Sequence, residues 1–192
     1  MSKAVVFRGC IVACLASLAV PLGMAGNAVS TADASRARKL APASEVSAVD
    51  RVSATPSGRL KNPYQDDNAD AVEAGRKAYF RAGCNGCHGG NGGGGMCPAL
   101  TNDTWVYGGD DDTLFRLVTL GSEVLQSNGY VRKGHENVVG PMPPMGVIVG
   151  TDDNLWHILA YIRSNYRGTP ECKFGCPPEA AEPTTPFKNP AF

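Results

Sequence analysis

The stretch GCNGCHGGNGGGGMCPAL, residues 83–100, holds three cysteines, one histidine and eight glycines. No other segment limits the fold as strongly, because so many chemistry-bearing groups must share one small volume. Within it, Cys84-Asn85-Gly86-Cys87-His88 has the spacing C-x-x-C-H. Thiol redox chemistry of the thioredoxin type needs a βαβ setting, and no such pattern surrounds the motif. A phosphate cradle needs Lys and then Ser or Thr after its glycines, whereas Met96-Cys97-Pro98 follows here. Zinc could recruit Cys97 as a further ligand, but a second ligand pair is missing. Covalent haem fits best: two thiols at this spacing each add to a vinyl group, and the adjacent histidine reaches the iron. Glycines around it then let backbone pass close to a flat ligand.

A chain of 192 residues suffices for one domain with tails. Its 18 basic and 18 acidic residues show no excess that would point to nucleic acid or an anionic membrane. Residues 1–28 read as a signal peptide: Lys3 and Arg8 precede an apolar run from Gly9 to Leu22, and small residues follow at Gly23, Ala25, Gly26 and Ala28. Pro21 suits a break before cleavage better than a spanning helix. An uncleaved anchor is the alternative. Cys14 ends a lipobox-like Ile11-Val12-Ala13-Cys14, but its long apolar run lies after it rather than before, so lipidation is not favoured. Cleavage leaves five cysteines in an oxidising compartment, Cys84, Cys87, Cys97, Cys172 and Cys176. The expected location is the periplasm, with no membrane attachment after cleavage.

Residues 29–60 are rich in Ala, Ser and Thr and poor in large apolar side chains, and are expected to form a disordered leader. Residues 169–192 form a Pro-rich extension. The domain is placed at 61–168 and is expected to be all-α. NADAVEAGRKAYFRAG predicts a helix capped by Asn68 or Asp70, with Gly75 on its apolar face to admit a close neighbour. DDDTLFRLVTLG predicts a second helix capped by its aspartates, and TDDNLWHILAYIRSNYRG a third running to Gly168. GVIVG at 146–150 is too short to build a sheet. Three modest helices bury little on their own, so a large apolar ligand is expected between them.

An electron-carrying haem iron needs a second axial ligand. Met96, Met142, Met145, His135 and His157 are the choices. His157 lies off the apolar stripe of its helix and reads as a surface residue. In GPMPPMG, prolines on both sides of Met142 limit its backbone, so ligation orders little. Met142 is favoured, then Met145, then His135. Met/His ligation leaves no open coordination site and favours one-electron transfer over catalysis. No nucleophile–base set or carboxylate pair appears, and Asp110, Asp111 and Asp112 lack EF-hand spacing.

The core resembles class I cytochromes c, through Gly75 and Tyr79 before the haem motif and Leu159-Ala160-Tyr161-Ile162 in the last helix. More narrowly, CNGCHGGNGGGGMCPAL, NDTWVYGGDDDTLFRL and VVGPMPPMG resemble the cytochrome c-L type, and within it the branch paired with lanthanide-dependent enzymes. The likeness spans about 60–168. It implies one covalent haem c on Cys84 and Cys87, with His88 and Met142 on the iron. It implies electron transfer from a periplasmic PQQ-dependent methanol dehydrogenase to a downstream cytochrome c or oxidase, by a monomeric protein that is not an enzyme. By the same likeness Trp105 and Tyr107 line the haem, against the simpler reading of core packing. Met145 and the pair Cys172/Cys176 depart from what the likeness carries. Cys97, Cys172 and Cys176 allow three disulfide pairings. A general periplasmic shuttle and a peroxidase-like or ligand-sensing haem protein are the alternative functions. Charged stretches at 110–112 and 132–136 are candidate docking surfaces, with a solvated face as the simpler reading for each.

Overall fold

A computed structural model describes residues 44–134 and 140–176. The signal peptide, most of the leader, His135 and the end of the extension lie outside the described residues. Among those described, the chain forms seven α-helices and no strand. They are α1 (Ala48–Ala54), α2 (Ala69–Arg81), α3 (Cys84–His88), α4 (Asp111–Leu120), α5 (Ser122–Ser127), α6 (Gly146–Val149) and α7 (Asp152–Ser164), followed by a 3-10 turn at Pro170–Cys172.

Local chemistry accounts for the long helices. Asn68 caps α2 by accepting from the Ala71 amide, and Asp110 caps α4 by accepting from Thr113. Thr151 caps α7, with Asp152 and Asp153 in its first turn and Arg163 in its last, each sign matched to the helix dipole. α7 stops at Ser164 rather than at Gly168. Beyond it, Tyr166 turns aside to stack on Trp105, with ring centroids 5.9 Å apart.

The closest helix crossing joins α2 to α7. A Cβ at Gly75 would lie 1.9 Å from the His157 carbonyl oxygen and 2.8 Å from Tyr161 Cβ, so only glycine permits this approach. Beside the crossing, Tyr79 and Tyr161 meet edge to face at 5.3 Å. Leu155, Ile158, Leu159 and Ile162 of α7 pack with Leu114, Phe115 and Leu120 of α4, and Phe115 lies 4.2 Å from Trp156.

Residues 44–60 are not the disordered leader that their composition suggests. Ser47 caps α1, and Ala48, Val52 and Leu60 are buried in the same core. Backbone bonds dock the segment: Ala48 N–H donates to Gly150 at 2.9 Å and Asp152 N–H donates to Val46 at 2.9 Å. Arg51 adds an ion pair to Asp152 at 2.5 Å. Small side chains suffice because main-chain groups make much of the contact.

His157 is also not a free surface residue. Its ring stacks on Tyr64 at 4.0 Å and faces Asp153 at 3.5 Å. Burial outweighs the nearby carboxylate and pushes its pKa down, which keeps the imidazole neutral.

Candidate functional site

α3 is a single helical turn, entered through Gly83 at φ 77° and left through Gly89 at φ 77°. Both positions need the left-handed region, which glycine enters at little cost. The helical repeat brings residues three and four apart to one side of the turn. Cys84, Cys87 and His88 accordingly line one cavity of about 430 Å³. That volume lies in the range of roughly 300–1,000 Å³ typical of cofactor sites. Burial pushes the Cys84 thiol pKa up, so the group stays protonated in the folded chain.

The imidazole of His88 is held from behind. Its Nδ1 lies 2.8 Å from the Pro98 carbonyl oxygen. A carbonyl can only accept, so Nδ1 carries the proton and Nε2 keeps its lone pair for a metal. The loop that delivers Pro98 is closed by Gly94 N–H to His88 O at 2.9 Å and Cys97 N–H to Cys87 O at 3.2 Å. Two buried tyrosines latch the same loop: Tyr79 donates to Gly89 O at 2.8 Å and Tyr161 to Gly90 O at 2.9 Å.

Met142 and Met145 reach the cavity from a separate segment. Met142 N–H donates to Ser122 Oγ at 3.0 Å, and Ser122 N–H returns a bond to the Met142 carbonyl at 2.9 Å. Met145 N–H donates to Val118 O at 2.9 Å. Gly121 must be glycine here, because it has φ 80° and a Cβ would meet Met142 O at 2.8 Å. Met96 is 62% exposed and lies outside the cavity lining, as does His157. Among the described residues His88 is the only imidazole in the lining. Apolar side chains from α4 and α7, including Leu114, Leu117, Ile158 and Leu159, form much of the remaining wall.

Trp105 and Tyr107 line the cavity and are buried. They pack in the core and also border the cavity. The Trp105 indole N–H donates away from the cavity, to Cys172 O at 2.7 Å. Tyr107 OH accepts from Gln126 Nε2 at 2.9 Å.

This donor set fits haem. It offers one imidazole with a fixed tautomer, two thiols on one helical turn, two thioethers and a largely apolar wall. Residues 72–165 match the family model for cytochrome c. They form a cytochrome c domain. The fold is the all-α class I type, and the cytochrome c domain carries covalently bound haem c, which makes it an electron-transfer haem protein. No curated protein matches the chain. Among solved structures, the chain is similar to cytochrome c-L from the marine methylotrophic bacterium Methylophaga aminisulfidivorans MPT, at 26% identity and a TM-score of 0.42. The alignment covers 56% of this chain and 61% of that one, so this chain spans about three-fifths of the length of the protein it matches.

The structure also answers several points that the sequence left open. Cys172 pairs with Cys176, and Cys97 is a free thiol on the cavity wall. Among the described residues, no group of three or more His, Cys, Asp or Glu side chains is arranged to hold a metal ion. The aspartates of 110–112 are engaged within the fold rather than forming a solvated face. Asp110 caps α4, Asp111 pairs with Arg163, and Asp112 pairs with Arg116 at 2.7 Å in the interior. Of 132–136, Arg132 lines the cavity and Lys133 N–H donates to Val106 O at 2.7 Å; the rest of that charge block, beyond Gly134, lies outside the described residues.

Sequence reasoning missed the Pro98 carbonyl, the Ser122 latch and the two tyrosine anchors. A backbone acceptor leaves no side-chain signature, so Pro98 could not have been found that way. The tyrosines carried a signal, because both fall on the faces of α2 and α7 that flank Gly75.

Proposed function

We propose that this cytochrome c domain is a periplasmic one-electron carrier of the cytochrome c-L type. It accepts electrons from a PQQ-dependent methanol dehydrogenase of the lanthanide type and passes them to a downstream cytochrome c or oxidase. The observation that carries the reading is the gathering of Cys84, Cys87, His88 and the Met142 loop around one cavity. The likeness of the segments at 84–100, 102–117 and 138–146 to cytochrome c-L supplies the choice of donor. No helix among the described residues is long and apolar enough to cross a membrane.

Haem c supplies a one-electron iron couple. Cys84 and Cys87 would hold it through thioether bonds. His88 would present Nε2 to the iron while Pro98 keeps the proton on Nδ1, a constraint that raises the basicity of the ligand. Met142 would offer its sulfur from a loop stiffened by Pro141 and Pro143 and latched by Ser122. Trp105, Tyr107 and the aliphatic wall would limit water around the haem, which would favour the reduced, less charged state.

Met142 and Met145 are separable by substitution. Met142→Ala is expected to open the sixth coordination position, so that the oxidised protein binds imidazole and its visible spectrum changes. Met145→Ala is expected to keep the wild-type spectrum, because its backbone holds it to Val118 as the cap of α6. The reverse pattern would make Met145 the ligand.

The donor is tested by stopped-flow absorbance. The oxidised holoprotein is mixed separately with lanthanide-loaded and calcium-loaded methanol dehydrogenase, and then methanol is added. Rapid, saturable haem reduction by the lanthanide enzyme is expected. Reduction only by the calcium enzyme would change the branch. Reduction by neither, with dithionite still effective, would leave a general periplasmic shuttle.

A further inference from the structure

The residues after α7 do more than trail from the domain. The 3-10 turn and the Cys172–Cys176 disulfide form a small knot that packs on segment 103–109. That segment has no helix or strand of its own, yet it carries Trp105, Tyr107 and Gly108 of the cavity wall. Something outside it must therefore fix its position. Trp105 is gripped on its edge, where the indole N–H donates to Cys172 O at 2.7 Å. On its face it is covered by Tyr166. A Cβ at Gly109 would fall 2.6 Å from the Trp105 ring and 2.8 Å from Gly175 N, so wall, indole and knot are in direct contact.

The knot is in turn tied down at several points. Asp103 accepts from Thr169 N at 2.5 Å and Thr169 Oγ1 at 2.8 Å, and from the Tyr166 hydroxyl. The Arg163 guanidinium lies 4.5 Å over the Phe174 ring, and Lys173 pairs with Asp66. These contacts join the extension to both ends of the wall segment and to α7.

We propose that the Cys172–Cys176 knot is a strap that holds the Trp105 wall of the haem cavity shut, and so sets how far water and small ligands reach the haem. The inference rests on the reading of this cavity as the haem site. A disulfide closing so short a loop removes little entropy from the unfolded chain, so its larger effect is on local shape. With the strap loosened, the indole loses its acceptor and the wall opens on the side of Cys172. Water entering there favours the oxidised, more charged state and lowers the potential. Trp105 and the strap are positioning elements, since they act on the haem environment without supplying an iron ligand.

The test uses the full-length holoprotein and three variants. Cys172→Ser with Cys176→Ser opens the strap. Trp105→Phe keeps a ring but removes the donor to Cys172. Val52→Ala removes core volume outside the cavity lining and is a stability control. Both strap variants are expected to show a lower midpoint potential and several-fold tighter imidazole binding to the oxidised protein, while Val52→Ala lowers Tm and moves neither. Strap variants that lose Tm yet keep the wild-type potential and imidazole affinity would overturn the proposal. If the double serine variant fails to load haem, Trp105→Phe alone decides. Mass spectrometry of the haem-linked peptide tests the site separately: haem absent from Cys84 and Cys87 sinks the site reading whatever the strap does.

Discussion

Gly75→Ala is expected to be the most damaging small substitution in the domain outside the haem-binding residues. The added methyl carbon would sit 1.9 Å from the His157 carbonyl oxygen, well inside van der Waals contact. Neither partner is a flexible side-chain end that could swing away. The obstacle is helix backbone, with Tyr161 Cβ at 2.8 Å behind it. α2 and α7 must therefore move apart along their crossing, which loosens the Tyr79–Tyr161 contact and the two hydroxyl bonds to Gly89 and Gly90. Alanine's better helix propensity returns only about 1 kcal/mol. Overpacking costs about 1–3 kcal/mol where neighbours can adjust, and more where they cannot. We expect a net loss of at least ~3 kcal/mol, a Tm drop on the order of 10 °C, together with a shifted haem spectrum because the latches on the haem loop slacken. Gly93→Ala is the matched control, since nothing lies within 4 Å of its would-be Cβ. It should change stability by no more than about 0.5 kcal/mol. Equal melting temperatures for the two variants would mean that the crossing is less tight than described.

The same crossing shows what a sequence of this kind reveals. Gly75 announced itself by sitting on an apolar helical face, where a glycine is costly unless another backbone comes close. Cys84, Cys87 and His88 were legible because their chemistry requires specific residue types at fixed spacing, and one helical turn then delivers all three to one cavity. Met142 stood out for its flanking prolines. The features that escaped are those made by main chain or by partners far along the sequence. α1 is docked through the carbonyls of Val46 and Gly150, and composition is blind to such bonds. The three aspartates at 110–112 look alike in sequence, yet one caps a helix and two neutralise arginines from different places. His157 sits off the apolar stripe of α7 but is covered by Tyr64, which arrives from the segment before α2.

Asp112 and Arg116 give the second large effect. Both side chains are shielded from solvent, and they lie one helical turn apart on α4. Arg116 Nε donates to Asp112 Oδ2 at 2.7 Å, while Nη2 donates to Thr55 O at 2.7 Å and Pro56 O at 3.0 Å. Asp112 Oδ1 accepts from Leu60 N–H at 3.0 Å. The pair therefore joins α4, which lines the cavity beside Cys84, Cys87 and His88 with Leu114, Leu117 and Val118, to the segment that follows α1. Arg116→Leu would leave a buried carboxylate with its cation gone and would strip the Thr55 carbonyl of its donor, while Pro56 O would keep only the Arg59 N–H at 3.2 Å. Breaking a buried pair from one side costs about 3–5 kcal/mol, so urea unfolding should show a much lower midpoint. Asp112→Leu should cost a similar amount, because it leaves the guanidinium charge without its anion. The informative variant is the double one. With both charges removed, the Coulombic penalty disappears, and what remains is the unsatisfied Leu60 amide and Thr55 carbonyl. We expect the double substitution to be less damaging than the sum of the singles, with a coupling of about 1–3 kcal/mol. Strict additivity would mean that the carboxylate and guanidinium act independently, with Arg116 serving only the Thr55 and Pro56 carbonyls and Asp112 only the Leu60 amide.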